Sequence, residues 1–177
     1  MRLYAARHGE TEYNAQFRVC GLTDLELTEK GKEQARELAE NVRDKNIDLI
    51  ISSPLKRAVT TGGIVAEKLN VPVIYDKRII EHNYGIYEGK SGFDENFMNN
   101  KRNLAYRYPQ GESVLQVAHR VYGFIDEIKE KYKDKNVLLV CHGGICRVIR
   151  TYFTDMTTDE FVNYYQSNCG FEEYILD

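Results

Sequence analysis

The 177 residues carry 24 Lys and Arg against 27 Asp and Glu, a formal charge of −3, and 42% of them are hydrophobic. That length suits one domain, residues 1–177, with a substantial core, and an acidic balance without a basic face or tail argues against nucleic acid as the main partner. No apolar run approaches membrane-spanning length, and Met1-Arg2-Leu3-Tyr4 leads straight into a strand without a signal-peptide pattern.

In chain order, Leu3-Tyr4-Ala5-Ala6 reads as a buried strand. A polar loop over 9–27 follows, holding Asn14, Arg18 and Gly21. Thr28 opens a helix whose apolar face, Ala35, Leu38, Ala39 and Val42, repeats at i, i+3, i+4, i+7. Ile47 to Ile51 is a second strand, and Ser53 with Pro54 reads as the N-cap and first position of a helix that runs to Leu69. Val71 to Tyr75 makes a third strand.

Residues 82–111 break the pattern. They are rich in Asn, Tyr and Gly, with room for one loose helix around Phe93, Phe97 and Leu104. So long a connection in a small domain reads as a lid or substrate-specificity segment, or equally as a plain surface excursion. Ser113 to Gln116 fits a capping box for a helix burying Val117, Val121, Phe124, Ile125, Ile128 and Tyr132. A strand ending at Cys141, a helix from Gly144 to Phe153, a short helix capped at Thr157 and a strand over Phe171 to Leu176 complete the chain. Strand–helix alternation predicts a three-layer α/β/α sandwich with a mostly parallel sheet.

The chemistry concentrates at two strand ends. Arg7-His8-Gly9 follows the first strand and His142-Gly143-Gly144 follows the run Val137 to Cys141, although the chain has only four histidines. Ligands in open α/β sheets bind at the carboxyl ends of strands, and glycine permits close backbone approach. A single strand-end histidine is commonly a satisfied core-edge residue; two matched ones with arginines nearby point to a phosphate site with a histidine nucleophile. No His-x-x-x-His or Cys-x-x-Cys spacing offers a metal alternative. Arg7 and Arg57 supply forked, permanently charged phosphate donors if their strands are neighbours. Glu81 leads as general acid, with a pKa expected to rise through burial or a nearby phosphate, and Glu10, Glu12 and Glu88 are its rivals. Lys101, Arg102 and Arg107 are open to an anionic substrate or to solvent. Cys20, Cys141, Cys146 and Cys169 are spread without a disulfide framework, which suits reduced thiols and a cytoplasmic location.

Arg7-His8-Gly9-Glu10-Thr11-Glu12-Tyr13-Asn14 resembles the signature of the histidine phosphatase superfamily, the phosphoglycerate mutase-like proteins. Leu27-Thr28-Glu29-Lys30-Gly31, Ser52-Ser53-Pro54-Leu55-Lys56-Arg57-Ala58, Glu81-His82-Asn83-Tyr84-Gly85, Gly111-Glu112-Ser113 and His142-Gly143-Gly144 resemble further family segments in the family's order. The resemblance implies His8 as phosphorylated nucleophile, Arg7, Arg57 and His142 as the phosphate pocket, Glu81 as proton donor and Asn14 as a phosphate contact. The substrate-binding set is then Arg7, Asn14, Cys20, Gly21, Arg57, Tyr84 and Gly143. It implies no metal and no cofactor, and a small-molecule phosphate ester as partner. Gly144 and Gly92 stand where the family's mutases carry Asn and Lys, and no Arg-Arg pair follows. The chain therefore looks closer to small phosphatases such as alpha-ribazole phosphatase, with mutase-type transfer or a non-catalytic phosphate binder as the alternatives.

Overall fold

In the computed structural model, which describes residues 1–176, the chain runs β1 (Arg2–Arg7), α1 (Glu12–Ala15), α2 (Glu29–Asn41), β2 (Leu49–Ser52), α3 (Lys56–Leu69), β3 (Val73–Tyr75) and α4 (Glu95–Asn100). It continues through α5 (Val114–Lys131), β4 (Asn136–Cys141), α6 (Gly143–Phe153), α7 (Thr158–Asn163) and β5 (Phe171–Ile175). The strands form one sheet in the order β3-β2-β4-β1-β5, parallel except for β5, which pairs antiparallel with β1.

Side-chain alternation along the strands builds two cores. Leu3, Ala5, Leu139 and Cys141 pack with the apolar stripes of α5 and α6, while Tyr4, Ala6, Leu138 and Val140 pack with those of α2 and α3. Central β4 is therefore apolar on both faces, which explains its unbroken Val137 to Cys141 run. Each fully buried Leu, Ile or Val contributes about 1.5–3 kcal/mol of transfer free energy, so the strand that delivers His142 is among the most firmly held.

The sandwich matches the sequence expectation. Thr28 caps α2, and the Ser113–Gln116 and Thr157–Glu160 capping boxes are formed. One reading is corrected. Ser53 is not an N-cap and Pro54 is not the first helical residue: α3 starts at Lys56 with Leu55 at its cap position. The Ser53 hydroxyl accepts only from the Leu55 N–H locally (3.4 Å) and has a tertiary partner, described below. The 9–27 loop also contains a helical turn, α1, capped by Thr11, too short for an apolar period to announce.

The 82–111 segment is held by an aromatic cluster, with Val19, Tyr87, Phe97 and Tyr108 buried and Tyr84 and Tyr106 against them. Gly85 turns this segment at φ +56°, and a Cβ there would lie 1.9 Å from the Pro109 carbonyl oxygen. Only glycine fits.

Candidate active site

The order β2-β4-β1 sets three strand ends side by side. Register pairs Arg7 with Cys141 and Ser52 with Val140, and the ladder continues one step beyond: His8 N–H donates to the Cys141 carbonyl (3.0 Å) and Ser53 N–H to that of Val140 (3.0 Å). His8, His142 and Ser53 thus share the carboxyl edge of the sheet. Strands β1 and β2 are not neighbours, the condition set for Arg7 and Arg57 to share an edge; β4 separates them. Arg57 still reaches the nucleophile strand because it enters from the first turn of α3.

A pocket of about 450 Å³ opens over this edge, lined by Arg7, His8, Asn14, Glu81 and Gly143 together with residues of the 82–111 segment and the stretch before β5. His8 is buried, and its Nδ1 meets the Gly9 carbonyl at 2.7 Å. A carbonyl only accepts, so Nδ1 carries the proton and Nε2 keeps its lone pair. Arg57 Nε–H donates to that Nε2 at 3.2 Å. Burial, then Arg57 and Arg7, push the His8 pKa well below its ordinary value. The imidazole is neutral at physiological pH.

Arg57 is fully buried and does not line the open pocket. Its Nη1 and Nη2 donate to the carbonyls of Thr23 (2.8 Å) and Gly21 (2.6 Å). That loop is fixed in turn by Glu88, whose carboxylate accepts from the backbone N–H groups of Gly21, Leu22 and Thr23 and from the Thr23 hydroxyl. His142, also fully buried, stacks edge-on to His8 with ring centroids 5.1 Å apart. Its Nε2 lies 2.7 Å from Ser53 Oγ. Burial, then Arg57 and His8, hold it well below the ordinary histidine pKa. Among the described residues, three side-chain nitrogens are buried without a hydrogen-bond partner, Arg147 Nε and, beside His8, His142 Nδ1 and Arg7 Nε. Unpaired buried donors are rare because each loses hydration without compensation. Arg7 and His142 flank His8.

Glu81 is buried, and its carboxylate accepts from the N–H groups of His82 (2.8 Å) and Gly144 (3.1 Å), the latter in the first turn of α6. A Cβ at Gly144 would lie 2.5 Å from Glu81 Oε1, so this glycine is what admits the carboxylate. Arg120 holds the acid's backbone, donating to the carbonyls of Arg78, Ile80 and Glu81 while it pairs with Glu112. The rival carboxylates are engaged elsewhere. Glu10 pairs with Lys30, Glu12 accepts from Gln16 at the surface, and Glu88 organises the Gly21 loop.

Asn14 lines the pocket with its Oδ1 taken by Thr11 and Asn168, which leaves its amide N–H groups for a ligand. Tyr84 and Cys20 also line it; burial, followed by the charge of Glu81, raises the Tyr84 pKa well above its ordinary value, and burial raises that of the Cys20 thiol. Gly21 stands back from the pocket as an Arg57 acceptor, and Gly143 packs beside Arg7. Lys101 lines the pocket, whereas Arg102 pairs with Asp159 and Arg107 donates to the Gly111 carbonyl.

Several contributors escaped the sequence reading. The Gln166 carbonyl accepts from Arg7 Nη1, Asn168 donates to the His8 carbonyl, and Thr61 Oγ1 accepts from Gly9 N–H. Their partners lie 159, 160 and 52 residues away, beyond any local pattern. Arg147 did carry a signal, since it sits three residues after Gly144 and shares its helix face. No group of three or more His, Cys, Asp or Glu among the described residues is placed to hold a metal ion.

The sequence model of the histidine phosphatase superfamily (branch 1) matches residues 3–176. The chain belongs to that superfamily. Among relatives of this histidine phosphatase, PhoE of Bacillus subtilis, named as an uncharacterized phosphatase, is 34% identical over 171 residues, covering 94% of this chain and 86% of PhoE. A protein of Escherichia coli O1:K1 named probable phosphoglycerate mutase GpmB is 34% identical over 150 residues, covering 81% of this chain and 70% of its own. The solved structure of a mycobacterial glucosyl-3-phosphoglycerate phosphatase superimposes with a TM-score of 0.87 at 26% identity, covering 97% of this chain and 88% of that one. Family and relatives together support phosphatase activity for this chain. Among the described residues, no helix of this superfamily member is long and apolar enough to cross a membrane.

Proposed function

We propose that this histidine phosphatase is a cytoplasmic phosphomonoesterase that hydrolyses small phosphate esters through a phosphohistidine on His8, without a metal. The carrying observation is the His8 imidazole, neutral and locked by Gly9 with Nε2 unprotonated, beside the partnerless buried nitrogens Arg7 Nε and His142 Nδ1. The Nε2 lone pair attacks phosphorus as the bond to the ester oxygen breaks, and the departing alkoxide takes a proton from the Glu81 carboxyl group. Arg7 Nε–H and His142 Nδ1–H donate to the phosphoryl oxygens, joined by Arg57 Nε–H as its bond to Nε2 gives way. Water then attacks phosphorus, Glu81 takes up its proton, and inorganic phosphate leaves His8 neutral. Substrate choice falls to the 82–111 segment, which brings Tyr84, Gly92, Phe93, Phe97 and Lys101 to the pocket.

Mutase-type transfer is the second reading, favoured by the likeness to GpmB. The close approach of Gly144 to Glu81, where mutases of the family are expected to carry Asn, supports hydrolysis. The test is phenyl phosphate turnover, undiminished by a chelator, with an acid-labile phosphoryl label on His8 in rapid-quench samples. Absence of turnover across a broad ester panel would leave a phosphate binder as the better account, and interconversion of 3- and 2-phosphoglycerate faster than phosphate release would favour the mutase.

A further inference from the structure

Glu81 stands on chain that no regular element holds. A 3₁₀ turn over Lys77–Ile79 ends before it, and residues 80–84 belong to neither helix nor strand. The N–H groups of His82 and Gly144 fix its carboxylate, but the main chain behind it needs a support of its own. A proton donor must lie within hydrogen-bond reach of the leaving oxygen, and a misplacement of about 1 Å can cost about 10²-fold in rate.

Arg120 is that support. Its Nη1 donates to the carbonyls of Arg78 (2.6 Å) and Ile80 (2.7 Å), and its Nη2 to that of Glu81 (3.1 Å). The remaining two donors meet Glu112, Nε to Oε1 and Nη2 to Oε2, both at 3.1 Å. All five guanidinium N–H groups are therefore engaged. Arg120 does not line the pocket, and it has no donor left for a substrate. It projects from α5, a helix anchored by buried Val117, Val121 and Phe124.

Glu112 extends the same bracket to the far end of the 82–111 segment. Its carboxylate accepts from Asn83 N–H (3.0 Å), its N–H donates to the Asn83 carbonyl (2.9 Å), and its carbonyl accepts from His82 Nε2 (2.8 Å). Burial opposes ionisation of this carboxyl, yet Arg120 and the Asn83 N–H hold its pKa below the ordinary value. The ion pair is 17% and 26% exposed, so it is less screened than a surface pair.

We infer that Arg120 is the positioning residue of the general acid: it templates the main chain of residues 78–81 on α5 and, through Glu112, ties both ends of the 82–111 segment to the same point. This rests on the phosphatase reading with Glu81 as proton donor. The placement of the acid and the closure of the substrate segment are thereby one structural event.

Leaving-group dependence tests it. Arg120→Lys keeps the charge but cannot serve four acceptor groups at once. Its kcat on ethyl phosphate should fall by about 10- to 100-fold, with KM little changed, while a nitrophenyl phosphate, which needs no proton, loses far less. Added to Glu81→Gln, the same substitution should change ethyl phosphate turnover by no more than about twofold, because the group it positions is already gone. Glu112→Gln should shift the ester ratio in the same direction by less, and it reads the same coupling if Arg120→Lys does not fold. A merely structural Arg120 would lower Tm and slow both esters equally. That result, or full losses in the Glu81→Gln background, would overturn the positioning role alone. Wild-type protein that turns over neither ester would remove the phosphatase reading, and equal slowing of both esters by Glu81→Gln would remove the acid; the inference falls with either.

Discussion

Replacing Ser53 with alanine probes how the site fixes a proton it never transfers. Ser53 Oγ and His142 Nε2 are 2.7 Å apart and both residues have 0% exposure. A hydroxyl that donates to Nε2 would confine the proton of the neutral imidazole to Nδ1, the nitrogen left without a protein partner. Loss of the hydroxyl strands a buried acceptor, at a cost of about 1–3 kcal/mol. For a chain of this size that lowers Tm by about 2–12 °C. Catalysis should suffer separately. Without the hydroxyl the proton is free to move to Nε2, and the Nδ1 donor is lost from part of the population. Complete loss of one such donor costs about 10²–10³-fold in kcat, so Ser53→Ala should show a fall of about 10-fold or more with KM little changed. Steady-state kinetics on phenyl phosphate give the rates, and the ¹⁵N shifts of His142 give the tautomer directly. A variant with lowered Tm, wild-type kcat and the proton still on Nδ1 would refute the reasoning and reduce Ser53 to a packing residue.

Glu81→Gln keeps the size of the acid and removes its proton, so hydrolysis of an alkyl phosphate should fall by about 10²–10⁴-fold while a nitrophenyl phosphate, whose leaving group needs no proton, loses far less; equal slowing of both would assign Glu81 to positioning. Arg57→Lys cannot reproduce three separate contacts to His8, Thr23 and Gly21, so kcat should drop by about 10²-fold together with Tm, and unchanged kinetics would make Arg57 dispensable. His8, His82 and His142 all have lowered pKa values in the fold. The unfolded chain therefore binds more protons once pH falls below about 6.5. Tm should decline from that point until the folded-state pKa values are passed, and His142→Gln should flatten the slope; a Tm independent of pH between 7 and 5 would contradict the burial of neutral imidazoles.

The architecture was readable because strands and helices alternate with strong apolar periods, and the two His-Gly segments mark neighbouring strand ends. Ser53 departs from its local pattern, Ser followed by Pro, a good helix start, because the chain still runs extended through Pro54 and the helix begins only at Lys56, while the hydroxyl faces His142 just past the end of β4. The 82–111 segment had no period to read, since its order comes from rings that meet across the segment, such as Phe97 and Tyr108 with centroids 5.7 Å apart. Gln166 and Asn168 could not be found from sequence spacing at all. They serve through their distance from β1, and nothing in their neighbourhood encodes it.

That distance orders events in folding. His8 stands at the end of the first strand, yet its carbonyl and that of Arg7 are gripped by the N–H of Cys169, and Arg7 is braced by Gln166. The parallel core can assemble from β1, β2 and β4 with the α-helices between them, and such a body would already carry both histidines at one edge. It would still lack the clasp on Arg7 and His8. Competence to turn over substrate should therefore lag behind secondary structure in refolding, arriving only when β5 zips antiparallel onto β1.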